Sequence, residues 1–323
     1  MTDFFHINDG SANKSVFYAN GPMYVTAATT STSFQTWQKP NGVNFVHFFV
    51  LGAGGGGGNS SGTIANGGRG GGGGGSAGFV TGLFPASVLP DTLYINVGVG
   101  GVGGDTGTGN GSDGSGGSGA LSYVMIYPDT AFTASNVVLQ SGSAAAVGGR
   151  TGGSVSAGGQ AGTAWTPTGS ILSNLGLIAT YAGQAGPVGQ TTVAASNVLI
   201  SGITTGGAPG GGTNNVGING GSIIGYGNTL PTISGGTTAS TLTINGSGTY
   251  MPSRPNTVGM TYGPMFFSGG AGGASGLSTG GNGGKGGDGA FGSGGGGGGN
   301  AMVTGNRGIG GRGGDGLVII TCW

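Results

Sequence analysis

The sequence predicts an all-β protein in which short β-strands join a bundle of threefold glycine helices and α-helix is almost absent. Three observations lead to this fold class. Glycine occupies 88 of 323 positions and is concentrated in runs. Apolar segments that resemble strands separate these runs. Residues that favour α-helix are scarce, since only 5% of the chain is charged and glutamate is absent.

The stretch from 280 to 316 carries the clearest pattern. Outside its poly-Gly run and the residues 300–307, glycine fills about two of every three places there, and a larger residue usually fills the third. A period of three matches the polyproline II helix, which has three residues per turn and a rise of about 3.1 Å per residue. The third-place side chains, which are expected to form one stripe, are Asn282, Lys285, Asp288, Phe291, Asn306, Ile309, Arg312 and Asp315.

One glycine helix of this kind is not expected to be ordered alone. Each fixed residue costs roughly 1–2 kcal/mol of conformational entropy, and the polyproline II helix makes no internal hydrogen bonds. Helices packed side by side can exchange N–H and C=O groups, with a net gain of about 0.5–1.5 kcal/mol per hydrogen bond. Because glycine-rich segments recur, we expect a packed bundle of the segments 52–78, 98–119, 148–162, 202–221, 269–298 and 305–316.

A disordered chain is the alternative interpretation of this composition. Glycine and proline together reach a level that is typical of low-complexity sequences. Disordered chains, however, combine low hydrophobicity with high net charge. Here the net charge is zero and 35% of the residues are hydrophobic, which favours an ordered protein.

Two pairs of opposite charges lie one threefold turn apart, Lys285 with Asp288 and Arg312 with Asp315. Three residues rise by roughly 9 Å, so we expect no tight ion pair within one helix. Pairing between neighbouring helices would fix their register. The alternative is that these charges are solvated and keep the bundle soluble.

The strand predicted at 43–51 is apolar at almost every place, which indicates burial on both faces. A turn at 39–42, with proline second and glycine fourth, precedes it. Other β-prone pieces lie between glycine or proline residues. They are 79–84, 93–97, 121–127, 137–139, 171–181, 198–200, 242–244 and 317–323.

We expect the chain to divide into three regions. Residues 1–32 mix aromatic and polar side chains and are expected to form an N-terminal arm suited to attachment, with a strand packed on its own domain as the alternative. Residues 33–127 and 268–323 form the glycine-rich β domain with its glycine helices. Residues 128–267, in which Ser, Thr, Asn and Ala replace much of the glycine, form an insertion.

Five residues of this insertion are candidates for contact with a binding partner. Aromatic residues, methionine and arginine are enriched at binding surfaces. The same residue types also suit a small β-core, which is the alternative. The candidates are Tyr250, Arg254, Tyr262, Met265 and Phe266.

The sequence offers no basis for enzymatic chemistry. Without glutamate, a pair of glycosidase carboxylates would have to be two aspartates, and the aspartates are scattered in turns and glycine runs. His6 and His47 have no cysteine or acidic cluster beside them, and Cys322 has no partner for an internal disulfide. We therefore predict no catalytic, cofactor-binding or metal-binding residues.

Binding to nucleic acid or insertion into a membrane is not expected either. Nucleic-acid binding needs clustered Lys and Arg, whereas the net charge of this chain is zero. No stretch of 18 apolar residues is present, and the first residues lack the basic start of a signal peptide.

The two ends of the glycine-rich domain resemble a known family. The start combines Phe34, Trp37 and Gly42 with an apolar strand that runs into Gly-Ala-Gly-Gly-Gly-Gly-Gly, and the finish is the closing strand of 317–323 after Gly-Arg-Gly-Gly-Asp-Gly. Together they resemble the glycine-rich domain of bacteriophage tail fibres and adhesins. The resemblance covers 33–125 and 268–323.

This resemblance implies a β-sandwich of jelly-roll type that carries polyglycine II helices and is displayed as a homotrimer. It implies a bacteriophage fibre or spike protein on the external surface of the virion, attached to other virion proteins. Its partner would be a host surface glycan or an outer-membrane protein. One alternative is a head fibre, capsid decoration or assembly protein without receptor binding. Another is an ice-binding protein, although bulky third-place residues such as Lys285 and Phe291 interrupt the flat face that ice binding needs.

Overall fold

The computed structural model describes residues 13–19, 34–60, 68–105, 114–142, 145–149, 157–167, 171–189, 195–212, 217–225, 232–238, 267–276, 281–301 and 305–323. Nearly all regular structure in these ranges is β. The strands are β1 (Asn13–Tyr18), β2 (Gln35–Gln38), β3 (Phe45–Leu51), β4 (Phe79–Pro85), β5 (Thr92–Asn96), β6 (Tyr123–Met125), β7 (Val137–Gln140), β8 (Leu177–Tyr181), β9 (Val198–Leu199), β10 (Ile223–Ile224) and β11 (Leu317–Cys322).

Helix is limited, in the same ranges, to α1 (Ile171–Gly176) and the two 3-10 turns Ala86–Val88 and Ala134–Asn136. The prediction of an all-β protein with almost no α-helix is therefore confirmed. No described helix has the length and apolar character needed to cross a membrane.

Most strands belong to two antiparallel sheets. The five-stranded sheet has the order β1-β11-β3-β4-β8, and the four-stranded sheet has the order β2-β5-β6-β7. The short strands β9 and β10 form a separate parallel pair. The predicted strands at 43–51, 79–84 and 93–97 correspond to β3, β4 and β5, and the closing strand corresponds to β11.

The β-prone piece predicted at 171–181 is only partly a strand, because α1 precedes β8. Leu172 and Gly176 are four residues apart and therefore share one helix face. Leu172 packs against the hydrophobic core, and Gly176 lies so close to the Phe84 ring that a Cβ atom would be 2.4 Å from it. Tertiary packing of this face explains the helix. The piece predicted at 242–244 lies outside the described residues.

The largest hydrophobic cluster of the described residues lies between the two sheets. Val46, Phe48 and Val50 of β3 belong to the same buried cluster as Trp37 of β2 and Leu93 of β5. The rings of Trp37 and Phe48 meet edge to face with centroids 6.3 Å apart, an arrangement that aromatic quadrupoles favour. The two sheets therefore pack face to face through these side chains.

The opposite face of β3 is buried as well. Phe49 and Leu51 pack with Phe79 and Leu317 in a second cluster, which Phe267 joins from outside the strands. Side chains alternate between the faces of a strand, so β3 contributes to both clusters. The predicted burial of this strand on both faces is confirmed.

Three glycine-rich segments, 52–60, 70–78 and 293–300, form the centre of a bundle beyond the sheets. All their residues are buried, and we call them the central segments. They bond to one another in a triangle: Gly55 N donates to Gly75 O (2.9 Å), Gly74 N to Gly295 O (2.8 Å) and Gly295 N to Gly55 O (2.9 Å). The backbones therefore lie side by side with no side chains between them.

The hydrogen-bond partners of a central segment repeat every third residue. In 52–60, Gly54 and Gly57 donate to residues in 311–314, Gly55 and Gly58 to residues in 72–75, and Gly56 and Asn59 to residues in 114–117, all at 2.8–2.9 Å. Its carbonyls accept from three further segments, through the amides of Gly101, Gly149 and Gly295. The segment thus has six bonded neighbours, whereas a strand in a sheet has at most two.

Glycine is needed in this bundle for space and not for an unusual backbone conformation. Among the described glycines only Gly42 and Gly292 have a positive φ. By contrast, a Cβ atom on Gly56 would lie 1.9 Å from the carbonyl oxygen of Val102, and one on Gly73 would lie 1.8 Å from that of Gly207. A side chain at these positions would force neighbouring backbones apart.

Glycine-rich segments connect to the β-strands at one end of the bundle. Segment 52–60 continues from β3 and segment 70–78 leads into β4, while 97–105 continues from β5 and 114–122 leads into β6. Asn59 N donates to Gly114 O at 2.8 Å, so the ends of different segments meet away from the sheets. We call this the distal end.

Buried hydroxyl groups occupy the junction between sheets and bundle. Ser122 Oγ donates to Leu51 O (2.7 Å) and accepts from Gly98 N (3.0 Å). Ser293 Oγ donates to Phe267 O (2.7 Å). Partners repeat every second residue in a sheet ladder but every third residue in the bundle, so backbone groups at the transition need other partners. These hydroxyls supply them.

The expectation that charges one turn apart would not pair within a segment is wrong. Lys285 Nζ lies 3.4 Å from Asp288 Oδ1, and Arg312 pairs with Asp315. The long Lys and Arg side chains extend along the segment and span the rise. Contact between neighbouring segments goes through carboxylate and backbone instead, since Asp288 Oδ1 accepts from Arg312 N at 2.8 Å.

Residues from the predicted arm and insertion take part in the same architecture. β1 belongs to the five-stranded sheet with β8, and β7 belongs to the four-stranded sheet. Within the insertion, Gly159 N donates to Gly73 O of a central segment at 2.7 Å. The division into arm, glycine-rich domain and insertion stays a prediction.

Candidate functional site

The predicted contact residues cannot be placed. Tyr250, Arg254, Tyr262, Met265 and Phe266 all lie outside the described residues, and their role stays a prediction. One candidate site that the described residues do form is a cleft of about 570 Å³ beside β4 and β8.

The floor of the cleft is a pair of aromatic rings from neighbouring strands. Phe79 of β4 pairs with Tyr181 of β8 in the antiparallel register, which places both side chains on the same face of the sheet. Their rings are stacked, with centroids 4.4 Å apart and planes inclined by 14°. Phe79 is buried, while Tyr181 stays 49% exposed.

Polar side chains surround this aromatic floor. Thr81 projects from β4, Gln184 follows β8, and Ser201 and Thr204 lie on the chain after β9. Hydroxyl groups and side-chain amides both donate and accept hydrogen bonds. The cleft therefore combines an apolar surface with hydrogen-bonding groups that carry no net charge.

The central segment 70–78 fixes the wall of the cleft. Gln184 N donates to Ser76 Oγ at 2.7 Å, and Gln184 Nε2 donates to Leu199 O at 3.1 Å. Thr204 is 5% exposed, and its Oγ1 lies 3.3 Å from both Ser76 Oγ and Ala77 O. The wall is thus tied to the rigid centre of the bundle.

A second candidate surface is the outward stripe of polar residues on 282–291 and 306–315. Its polar groups largely serve the bundle itself. Asn282 Oδ1 accepts from Asn306 N at 2.7 Å, and Asp315 Oδ1 accepts from Gly100 N at 2.8 Å. These contacts hold adjacent segments in register, so the stripe is the weaker candidate.

Titratable groups with shifted pKa values lie away from the cleft. Burial lowers the pKa of His47 and raises the pKa of the Cys322 thiol. Hydrogen bonds from the Thr133 side chain and backbone, and then from the Ala131 backbone, lower the pKa of Asp129 to about 2 in an exposed turn. Within the described ranges no cluster of three or more His, Cys, Asp or Glu could hold a metal ion.

The residues of the cleft were not identified from the sequence. Tyr181 ends a β-prone piece, which is a weak signal for an edge strand. Its partner Phe79 and the opposite wall at Ser201 lie far apart in the chain, and no local spacing connects them.

The two antiparallel sheets and the hydrogen-bonded glycine segments define a glycine-rich all-β protein. A family model described as a glycine-rich domain matches residues 28–323. The chain therefore belongs to the glycine-rich domain family. No curated protein matches it. The predicted glycine-rich domain is confirmed at this level, and its association with bacteriophage fibres stays a prediction.

Proposed function

We propose that this protein is a bacteriophage fibre or spike protein whose glycine-rich domain recognises a receptor on the host surface. The receptor is a surface glycan or an outer-membrane protein, and other virion proteins hold the fibre on the outside of the tail or capsid. The role is one of binding and display, without enzymatic activity, cofactors, nucleic-acid binding or membrane insertion.

The hydrogen-bonded bundle is the observation that carries this proposal. Partners that repeat every third residue and six bonded neighbours for one segment support an assignment of the segments as polyglycine II helices. The two antiparallel sheets that face each other across a common core support a β-sandwich, which we propose to be of jelly-roll type. At a rise of about 3.1 Å per residue, a segment as long as 52–60 extends roughly 28 Å. Such a bundle holds its distal end well away from the sheets.

A rigid projection of this kind suits recognition more than catalysis. Binding residues in proteins are commonly placed on connections that a rigid scaffold positions. Here the ends of different glycine-rich segments meet at the distal end, where Asn59 N donates to Gly114 O. The receptor is proposed to meet the protein along the bundle and at its junction with the sheets, and the virion is proposed to meet the opposite end of the sheets, where β3 begins.

We also propose that the protein is a homotrimer. Its surface is poor in charge, and Phe45 and Trp323 are 42% and 46% exposed with ring centroids 6.3 Å apart. Phe45 begins β3, at the end of the sheet opposite the bundle, so a contact there leaves the bundle free. Light scattering is expected to give about three times the chain mass of 30.4 kDa; the mass of a single chain would contradict the proposal.

Competition with phage adsorption tests the proposed function. Purified protein is added to host cells before the phage that carries it, and the adsorption rate is measured. Saturating protein is expected to slow adsorption by about tenfold or more, because the receptors are occupied. The same protein after heat unfolding is the control and should have no effect.

The result also separates the two virion roles. If the folded protein neither binds the cells nor slows adsorption, but does bind purified virion proteins, a head-fibre, decoration or assembly role replaces receptor recognition. If it binds neither cells nor virion proteins, the virion assignment itself is wrong.

A further inference from the structure

We propose that the cleft between β4, β8 and the chain at 201–204 binds a neutral saccharide. This inference deepens the proposed function and rests on it, because the cleft would be the subsite for a host surface glycan. Its observations are the stacked rings of Phe79 and Tyr181, the uncharged polar rim and the fixed wall.

The aromatic floor is suited to one face of a sugar ring. An aromatic ring is negative on its faces and positive at its edge, and the C–H groups on a pyranose face carry a partial positive charge. Tyr181 retains 49% exposure although it stacks on Phe79. The buried Phe79 ring therefore holds the tyrosine in a fixed plane, so little conformational freedom is lost when a ligand stacks on it.

The polar rim matches sugar hydroxyl groups. The hydroxyls of Thr81 and Ser201 can each donate and accept, as sugar hydroxyls do. The backbone N of Gln184 donates to Ser76 Oγ and its side-chain Nε2 donates to Leu199 O, so the backbone and the side chain are both held in place before a ligand arrives. Such fixed polar groups give a mostly apolar cleft its orientation and specificity.

The charge of the cleft selects the class of sugar. Among the described residues that line it, none is Asp, Glu, Lys, Arg or His. Placing a carboxylate, phosphate or sulfate there would desolvate a charge without a partner, which is costly. The volume of about 570 Å³ lies within the usual range of about 300–1,000 Å³ for ligand sites. A short oligosaccharide of hexoses or N-acetylhexosamines therefore fits.

Binding of defined oligosaccharides tests the cleft directly. Neutral oligosaccharides of hexose and N-acetylhexosamine, and acidic ones carrying sialic or uronic acid, are titrated into the full chain and followed by saturation-transfer NMR. We expect binding of a neutral ligand and at least tenfold weaker binding of its acidic counterpart. Tyr181→Ala and Ser201→Trp should each lower the affinity for the neutral ligand about tenfold. The first removes the stacking ring, and the second fills the cleft.

Tyr127→Ala is the matched control, since Tyr127 is 64% exposed and does not line the cleft. It should change the affinity by less than about twofold. Thermal unfolding of every variant checks that the fold is kept. If Tyr181→Ala unfolds the protein, Ser201→Trp alone tests whether the saccharide binds in the cleft. This substitution adds bulk at an exposed position.

Two outcomes would overturn the inference, and both are distinguishable from failure of the proposed function. If no neutral oligosaccharide binds but the protein still blocks adsorption, saccharide binding in the cleft is refuted and the proposed receptor recognition is not affected. Binding that Ser201→Trp does not change places the sugar elsewhere. Conversely, a saccharide bound in the cleft by a protein that does not block adsorption supports the cleft and contradicts the receptor role.

Discussion

Replacing Gly73 by alanine is expected to destabilise the protein by at least about 3 kcal/mol, the upper range for overpacking a core. The added Cβ atom would lie 1.8 Å from the carbonyl oxygen of Gly207. The neighbouring backbone has no flexible side chain that could move aside, so the two segments must separate. Separation breaks the hydrogen bond from Gly207 N to Gly74 O, which is 2.8 Å in length.

Denaturant unfolding measures this effect, with Gly202→Ala as the control. A Cβ atom on Gly202 would have its nearest neighbour, Thr204 O, at 3.8 Å, which is ordinary contact. The control should therefore remain within about 0.5 kcal/mol of the parent protein. Equal stability of the two variants would mean that the central segments are not packed backbone against backbone.

Replacing Ser122 by alanine is expected to cost about 2–4 kcal/mol, because two buried backbone groups lose a partner. The Ser122 hydroxyl accepts from Gly98 N and donates to Leu51 O, and the residue is fully buried. Alanine removes only one oxygen, so the loss of packing is small. The cost therefore comes mainly from the Gly98 N–H and the Leu51 C=O, which both lose the Ser122 hydroxyl as a partner.

The comparison variant for this substitution is Ser201→Ala, at an exposed serine. Its free energy of unfolding should stay within about 0.5 kcal/mol of that of the parent chain. If Ser122→Ala behaves in the same way, water must replace the hydroxyl, and the junction does not depend on it.

Strands with strong local patterns were predictable from the sequence. β3 and β11 are apolar at nearly every place and are bounded by glycine, so their existence and their burial follow from composition. The segment at 171–181 was less predictable, since apolar residues there fit a strand as well as the helix face that Leu172 and Gly176 share. The contact with Phe84, distant in the chain, decides in favour of the helix.

The arrangement of the bundle was only partly predictable. The period of three is visible in the sequence at 280–316, but a period alone does not predict which segments become neighbours. The charged pairs show the same limit. A rise of roughly 9 Å argued against pairing along one segment, yet Lys285 reaches Asp288 because side-chain length, and not only backbone rise, sets the distance.

The cleft could not be found from the sequence at all. Its rings come from β4 and β8 and its rim from 201–204, and none of these residues belongs to a motif. The predicted contact residues were chosen for their chemical type alone, without knowledge of which strands are adjacent. Site prediction fails here because adjacency is set by strand pairing over long sequence distances.

The triangle of central segments has a consequence for biosynthesis. Two of its members are made early, but the third, 293–300, leaves the ribosome only after most of the chain has been translated. At about 5–20 residues per second, the early glycine runs wait on the order of ten seconds or more for their last partner. The nascent chain must stay soluble through this interval. Its final compaction is expected to be slow, because non-local contacts dominate it.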